Sequence, residues 1–278
     1  YENGIKKEEG YLKNDKLEGI SKLYYESGKI CQIAYNKNGK KDGRIVKYYE
    51  NRNPEHEWNY KNDVLDGIDL EYYESGKVKT RMFYKNGKAQ GEVLSFYENG
   101  RIKEKAYYKD DMLEGKFTIY FKDSKIEEEY NYKDGKLNGE YRTYYENGNL
   151  QEVGNYIDNK LEGKSLTYYE SGKLDGEFNY IQNELNGAYK NYYENGNLKR
   201  SGIYKNGEIE GEAFFYLEEG QIGEKAFFID GKVEGEYLYY NKTGKLIKKE
   251  IYKNGNLLST EEFEKMEEVK NESEGIKN

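Results

Sequence analysis

Asn131-Tyr132-Lys133-Asp134-Gly135-Lys136-Leu137-Asn138-Gly139, followed by Tyr144-Tyr145-Glu146-Asn147-Gly148-Asn149-Leu150, is one unit of sequence whose reading decides the fold. Asp134-Gly135 and Asn147-Gly148 are turn dipeptides set between β-rich runs. Such pairs favour two-residue hairpin loops, because both central positions need φ > 0. Ser27-Gly28, Asn38-Gly39, Asn86-Gly87, Asn195-Gly196 and Asn206-Gly207 carry the same signal. The turns alternate at intervals of 13 and 11 residues, which sum to 24.

The unit recurs along the chain. Glycine stands at every 24th residue from Gly19 to Gly235, and a second series from Gly4 to Gly244 keeps the same register. That second series misses only at Arg52 and Ser124. An insertion-free period of this length predicts a repeat architecture in which each unit packs on its neighbours. The expected fold is all-β: an elongated, single-sheet antiparallel solenoid of β-hairpin repeats, two strands per repeat. Strands about 4.8 Å apart advance about 10 Å per repeat, so some ten repeats should span roughly 100 Å. Small-angle X-ray scattering should show a rod of that length, and the profile of a compact sphere would refute it.

Face assignment follows period-two alternation. Ile102, Ala106 and Tyr108 are expected on one face, with Lys103 and Lys105 opposite. Leu17, Leu65, Leu113, Leu137, Leu161 and Leu185 occupy one position of the repeat. A glycine such as Gly187 inside the longer strand marks a bulge or close approach. A bulge there leaves open which tyrosine of each Tyr-Tyr pair faces the core.

Composition agrees with a thin fold. Hydrophobic and charged residues are each 35% of the 278 residues. Leu, Ile, Val and Phe together fall just under the roughly 20% that flags disorder. The 33 tyrosines offset that deficit, since each offers an apolar ring and a polar tip. The net charge is −8, with both signs mixed along the chain. It provides neither a field for nucleic acid phosphates nor a basic patch for anionic lipid. One cysteine, Cys31, excludes an intrachain disulfide and forms no zinc site alone. No signal peptide or membrane-length apolar run is visible, and compartment stays open between cytoplasm and cell surface. Tyr1-Glu2-Asn3-Gly4 already reads as mid-repeat, so sequence is expected to precede it. The lysine and asparagine bias hints at an AT-rich bacterial genome.

The array is expected over 1–258. After it, Ser259-Thr260-Glu261-Glu262 reads as a capping box opening a helix over 259–270. Phe263, Met266 and Val269 would lie on one side of that helix and cover the open sheet edge. Residues 271–278 are expected to be disordered.

Signals for catalysis are absent from the sequence. The only histidine, His56, has no nucleophile or metal partner at a recognisable spacing, and reads as a surface residue. No Gly-rich loop opens a helix to cradle phosphate. No enzyme activity, cofactor or metal is expected. Asn51-Arg52-Asn53-Pro54-Glu55-His56-Glu57-Trp58 breaks the pattern: it loses the turn glycine and holds the only Pro, His and Trp. Two readings stand. Arg52, His56 and Trp58 form a partner-binding site, since Trp and Arg are favoured anchors. Alternatively this is a decayed repeat in which Trp58 fills the slot of Met82 or Phe178. Loss of the glycine is expected to distort the hairpin and open the rim of the sheet.

Tyr144 to Leu150 and Asn131 to Gly139 resemble the MORN repeat, in the bacterial variant of YwqK-type, antitoxin-labelled repeat proteins. Matching segments run to about Leu258. The resemblance implies an interaction scaffold, monomeric, whose partner is another protein that it neutralises. Tyr-Tyr followed by a turn and Gly-Lys is also similar to aromatic cell-wall-binding repeats. That implies a rival function, a surface glycan-binding or adhesion module.

Overall fold

The computed structural model describes residues 1–263, which contain strands and turns and no helix. Two compact units divide the chain: Tyr1–Leu150 with Tyr156–Asn159, and Gln151–Asn155 with Lys160–Asn278. Within each unit the main sheet is antiparallel and its strands pair with near neighbours in sequence, so the fold is an all-β solenoid of hairpin repeats. Leu12–Lys13 and Lys16–Leu17 form a separate two-stranded sheet.

Most repeats have three strands rather than two, while Lys40–Tyr48 and Lys232–Tyr240 run unbroken and keep the expected two. Val64–Leu65, Gly67–Tyr72 and Val78–Lys85 are typical. The expected long strand is interrupted just before its glycine, where the Asp66 N–H donates to the Asn59 carbonyl at 2.9 Å. Gly67 then takes φ +132, and a Cβ there would lie 2.8 Å from the Asn59 Cβ. Positive φ is common to every glycine of the 24-residue series from Gly19 to Gly235 and accounts for it, while crowding adds to it at positions such as Gly67.

The two turns differ physically. Asn86 (φ 49) and Gly87 (φ 82) both adopt positive φ, as a two-residue type I′ loop requires. In the turn after each tyrosine pair, only the residue at the glycine position does so. Gly76, for example, donates to the Tyr73 carbonyl while the Tyr73 N–H reaches the Lys77 carbonyl. This is a type I turn closed by a left-handed residue, not the type I′ turn expected at Ser27-Gly28. Beyond it the register slips by one residue, between Ser95 and Phe96 on one strand and between Glu104 and Ile102 on its neighbour. The extra residue, Lys103, puts Ile102 beside Phe96 and on the opposite face from Ala106. The expected common face for Ile102 and Ala106 is thereby corrected, because a bulge resets the alternation.

A row of complementary sizes runs along one face. In the N-terminal unit Ala34 faces Ile45, which faces Trp58, and Val93 faces Ala106. Ile45 is 1% exposed. In the C-terminal unit Ser165 faces Phe178, Tyr189 faces Gly202, and Ala213 faces Ala226. A Cβ on Gly202 would lie 2.9 Å from the Tyr189 ring, so the ring lies across the glycine. Ser165 with Phe178 and Tyr189 with Gly202 set small against large and fill the space over the sheet, whereas Ala213 and Ala226 pair two small residues.

The tyrosine pairs take opposite roles. The second hydroxyl of each pair reaches the next repeat's backbone: Tyr49 donates to the Tyr72 carbonyl (2.9 Å), Tyr73 to that of Phe96 (2.6 Å) and Tyr97 to that of Tyr120 (2.6 Å). Tyr169 and Tyr193 do the same in the C-terminal unit, to Tyr192 and Tyr216. The first tyrosine instead meets the residue 15 positions earlier, as Tyr192 meets Glu177 at 2.6 Å.

The expected capping helix is not formed where it falls on described residues. Ser259 to Glu262 belong to strand Asn256–Glu262, with Ser259 opposite Ile251 and Glu262 opposite Lys248. Asn254-Gly255 turns the chain back (φ 50 and 77), and the preceding strand offers a full row of backbone partners. A helix cap worth about 1 kcal/mol does not compete with that ladder. Met266 and Val269, the rest of 259–270, and the tail at 271–278 lie outside the described residues.

Candidate interaction surface

The strand Pro54–Lys61 carries the departure from the repeat pattern, and its backbone is regular. Arg52 adopts φ 75 and Ser124 φ 77, close to the 79 of Gly244 and the 80 of Gly28 in the same series. The Tyr49 N–H reaches the Asn53 carbonyl at 2.9 Å, and the Arg52 N–H reaches the Tyr49 carbonyl at 2.9 Å. Asn51 and Asn53 both donate to the Glu74 carbonyl of the next turn at 2.8 Å. The expected distortion of this hairpin is therefore corrected: the turn keeps its backbone bonds and the same side-chain bonds that Asn195 and Asn197 make to the Glu218 carbonyl around Gly196. Pro54 sits at the first position of its strand, where a missing N–H is tolerated.

Arg52 does not join His56 and Trp58. Trp58 lies opposite Ile45 and His56 opposite Lys47, on the face with the small-to-large row. Arg52 lines a groove with Ile33 and Tyr48 on the other face. The three positions share one parity, and the register slip between Lys47–His56 and Tyr48–Pro54, with Glu55 as the extra residue, exchanges the faces and separates the expected trio.

On the first face, Trp58 occupies the slot of Met82 and Phe178 in register, and is half-buried. Its ring stacks on His56 with centroids 4.0 Å apart and planes 14° from parallel. His56 Nε2 lies 2.5 Å from Asp69 Oδ1. His56 is thus a half-buried, paired residue rather than a free surface histidine, with 27% of its side chain exposed against 16% for Asp69. Asp69 stands where the row otherwise places Ser21, Ile45, Val93 or Phe117. Burial pushes its carboxyl above the usual range, and the His56 bond opposes that. Burial, with the Asp69 charge second, also pushes the Tyr60 hydroxyl up. The result is a flat imidazole–indole pair, oriented by a carboxylate and bordered by tyrosine. Such an array can dock a partner through stacking and hydrogen bonds. Asp69 was not singled out in the sequence, although an acid in an apolar slot of an exact register is a readable signal.

Among the described residues no cluster of three or more His, Cys, Asp or Glu is placed to hold a metal ion. No helix there is long and apolar enough to cross a membrane, which says nothing of a β-barrel. Cys31 is a half-buried free thiol in strand Ile30–Lys37.

The family model of the MORN repeat variant matches residues 17–38, 65–86, 89–110, 113–134, 137–158, 161–182, 185–206 and 233–254, more than half of the chain. The chain belongs to the MORN repeat variant family. The intervals the model passes over include 41–62 and 209–230, which hold register without matching the MORN consensus. The first of these contains Arg52, His56 and Trp58. No curated protein matches. Among solved structures, the chain is similar to "Crystal Structure of TcdB2-TccC3" at 13% identity and TM-score 0.20, over 86% of this chain and 14% of that one. "Crystal Structure of TcdB2-TccC3-Cdc42" follows at 12% identity and TM-score 0.19, over 84% and 15%. The chain thus spans about one seventh of those chains, and the MORN assignment rests on the repeat model alone. MORN arrays are repeat scaffolds, and this chain is one.

Proposed function

We propose that this MORN scaffold is non-enzymatic and binds another protein through the Trp58 face of its N-terminal unit. We further propose that binding neutralises the partner by occlusion, as an antitoxin does. The observation that carries this reading is the His56–Trp58 stack on Asp69, set in a repeat whose backbone is regular but whose side chains depart from the family pattern. Decay would be expected to loosen the hairpin. Here the turn keeps its hydrogen bonds while the surface chemistry changes, which suits a surface shaped for a particular partner. The rival glycan-binding reading needs a regular row of available rings. The regular tyrosines are half-buried with hydroxyls committed to the next repeat, which favours a protein partner.

Affinity capture with the full chain, followed by identification of what is retained, tests this. A single protein should be recovered in near-stoichiometric amount. The pair His56→Ala with Trp58→Ala should reduce its recovery about tenfold or more, as expected for anchor residues. A matched Met82→Ala with Arg101→Ala change should have little effect. Equal recovery by both variants, with circular dichroism showing both folded, would remove the Trp58 face from the proposal. Retention of polysaccharide in place of protein would support the rival.

A further inference from the structure

On the opposite face of the N-terminal unit, a groove of about 400 Å³ is lined by Gly28, Lys29, Ile30, Ile33, Tyr48 and Arg52. That volume lies within the range of small-molecule sites. The register of the repeat explains why the groove is open. In several repeats the first tyrosine donates to a carboxylate 15 residues earlier: Tyr24 to Glu9, Tyr144 to Glu129 and Tyr192 to Glu177. Glu57 holds the same place relative to Tyr72, whose hydroxyl it helps push up after burial. For Tyr48 the residue at that position is Ile33, which accepts nothing. The space that a glutamate side chain would fill is left empty, and Ile30 and Ile33 give it an apolar floor.

Three donors border this floor. No hydrogen bond joins the Tyr48 hydroxyl to any described residue. Arg52 projects a guanidinium from a turn position that glycine holds in most repeats, and it forms no ion pair with a described residue. Lys29 Nζ donates to the Glu50 carbonyl at 2.6 Å and lies 3.8 Å from the Glu50 carboxylate, itself 3.3 Å from Ser27 Oγ. Lys29 is thereby fixed at the rim with donor capacity remaining. A left-handed backbone on a long side chain is uncommon, and its presence here places a cation where the groove opens.

We propose that this groove binds a small organic carboxylate with an aromatic or branched aliphatic body. Its carboxylate takes the place of the absent glutamate, accepting from the Tyr48 hydroxyl and the Arg52 guanidinium. Its body covers Ile30 and Ile33. A guanidinium beside a hydroxyl suits a carboxylate, and the apolar floor discriminates against a fully hydrated inorganic anion. The same chemistry is offered by a free acid or by the C-terminal residue of a peptide. This site lies across the sheet from the proposed protein-binding face and does not depend on it.

Isothermal titration calorimetry of the full chain with 4-phenylbutyrate, its amide, inorganic phosphate, and the peptide Gly-Gly-Gly-Phe as acid or amide provides the test. Saturable one-to-one binding of 4-phenylbutyrate is expected, with no detectable binding of the amide or of phosphate. Binding of the peptide acid but not its amide would also support the site, with a peptide terminus as the source. Ile33→Glu supplies the carboxylate that other repeats carry, and Arg52→Gly restores the usual turn residue, so neither should impair folding. Each should weaken binding about tenfold or more, the scale of one lost charge-assisted hydrogen bond. Failure of both acids to bind, equal binding of phosphate, or unchanged affinity in both variants would overturn the proposal.

Discussion

Raising the pH from about 10 to about 12 should unfold this protein cooperatively. Burial is the leading reason that the hydroxyls of Tyr25, Tyr72, Tyr169 and Tyr192 are pushed up to about 12. Nearby carboxylates add to it at Tyr72 (Glu57), Tyr169 (Asp175) and Tyr192 (Glu177). Burial raises Tyr130, Tyr237 and Tyr239 as well. An unfolded tyrosine ionises near 10. Below that pH both states are neutral and the stabilisation is complete. Between about 10 and 12 the unfolded chain has released protons that the folded chain still holds, so stability falls as pH rises. Each tyrosine raised by about two units contributes roughly 1–3 kcal/mol, and four together match a typical total of roughly 5–15 kcal/mol. Circular dichroism against pH, with tyrosinate absorbance at 295 nm, measures this. Strand signal should vanish and absorbance rise together, well above pH 10. A sheet still intact at pH 12, with tyrosines titrating singly near 10, would falsify the account.

Gly67→Val should be among the most damaging single substitutions in the N-terminal unit. Two independent penalties act there. A φ of +132 lies outside the left-handed well that Asn or Asp tolerates, and a Cβ would stand 2.8 Å from the Asn59 Cβ. Strain and overpacking are each worth about 1–3 kcal/mol, so a loss of roughly 3–5 kcal/mol is expected. Gly91 offers the control, with φ +78 and nothing within 4 Å of a Cβ. Gly91→Asn should cost about 1 kcal/mol or less, since Asn visits this region readily, as Asn38 does at φ 51. Urea denaturation of the two variants measures the difference. Equal losses would show that the crowding at Asn59 is relieved by movement and does not constrain position 67.

Local rules were readable from the chain. The 24-residue register, the hairpin turns and the all-β class follow from glycine and asparagine spacing, because turn conformations with positive φ admit few residue types. Membership of the MORN repeat was equally legible in Asn131 to Leu150. The capping helix was misread at Ser259 to Glu262, since a local capping box carries no information about the strand Leu246–Lys253 waiting to pair. His56 looked like a lone surface histidine because Asp69, 13 residues on, meets it only across paired strands. Arg52 and Trp58 are close in sequence but lie on opposite faces of the sheet. The groove at Tyr48 exists only because Ile33 is folded to where Glu57 or Glu177 would sit for another tyrosine. Sequence determines which turns a residue permits, while tertiary structure alone decides which side chains meet across strands, because a single extra residue at a bulge exchanges the faces.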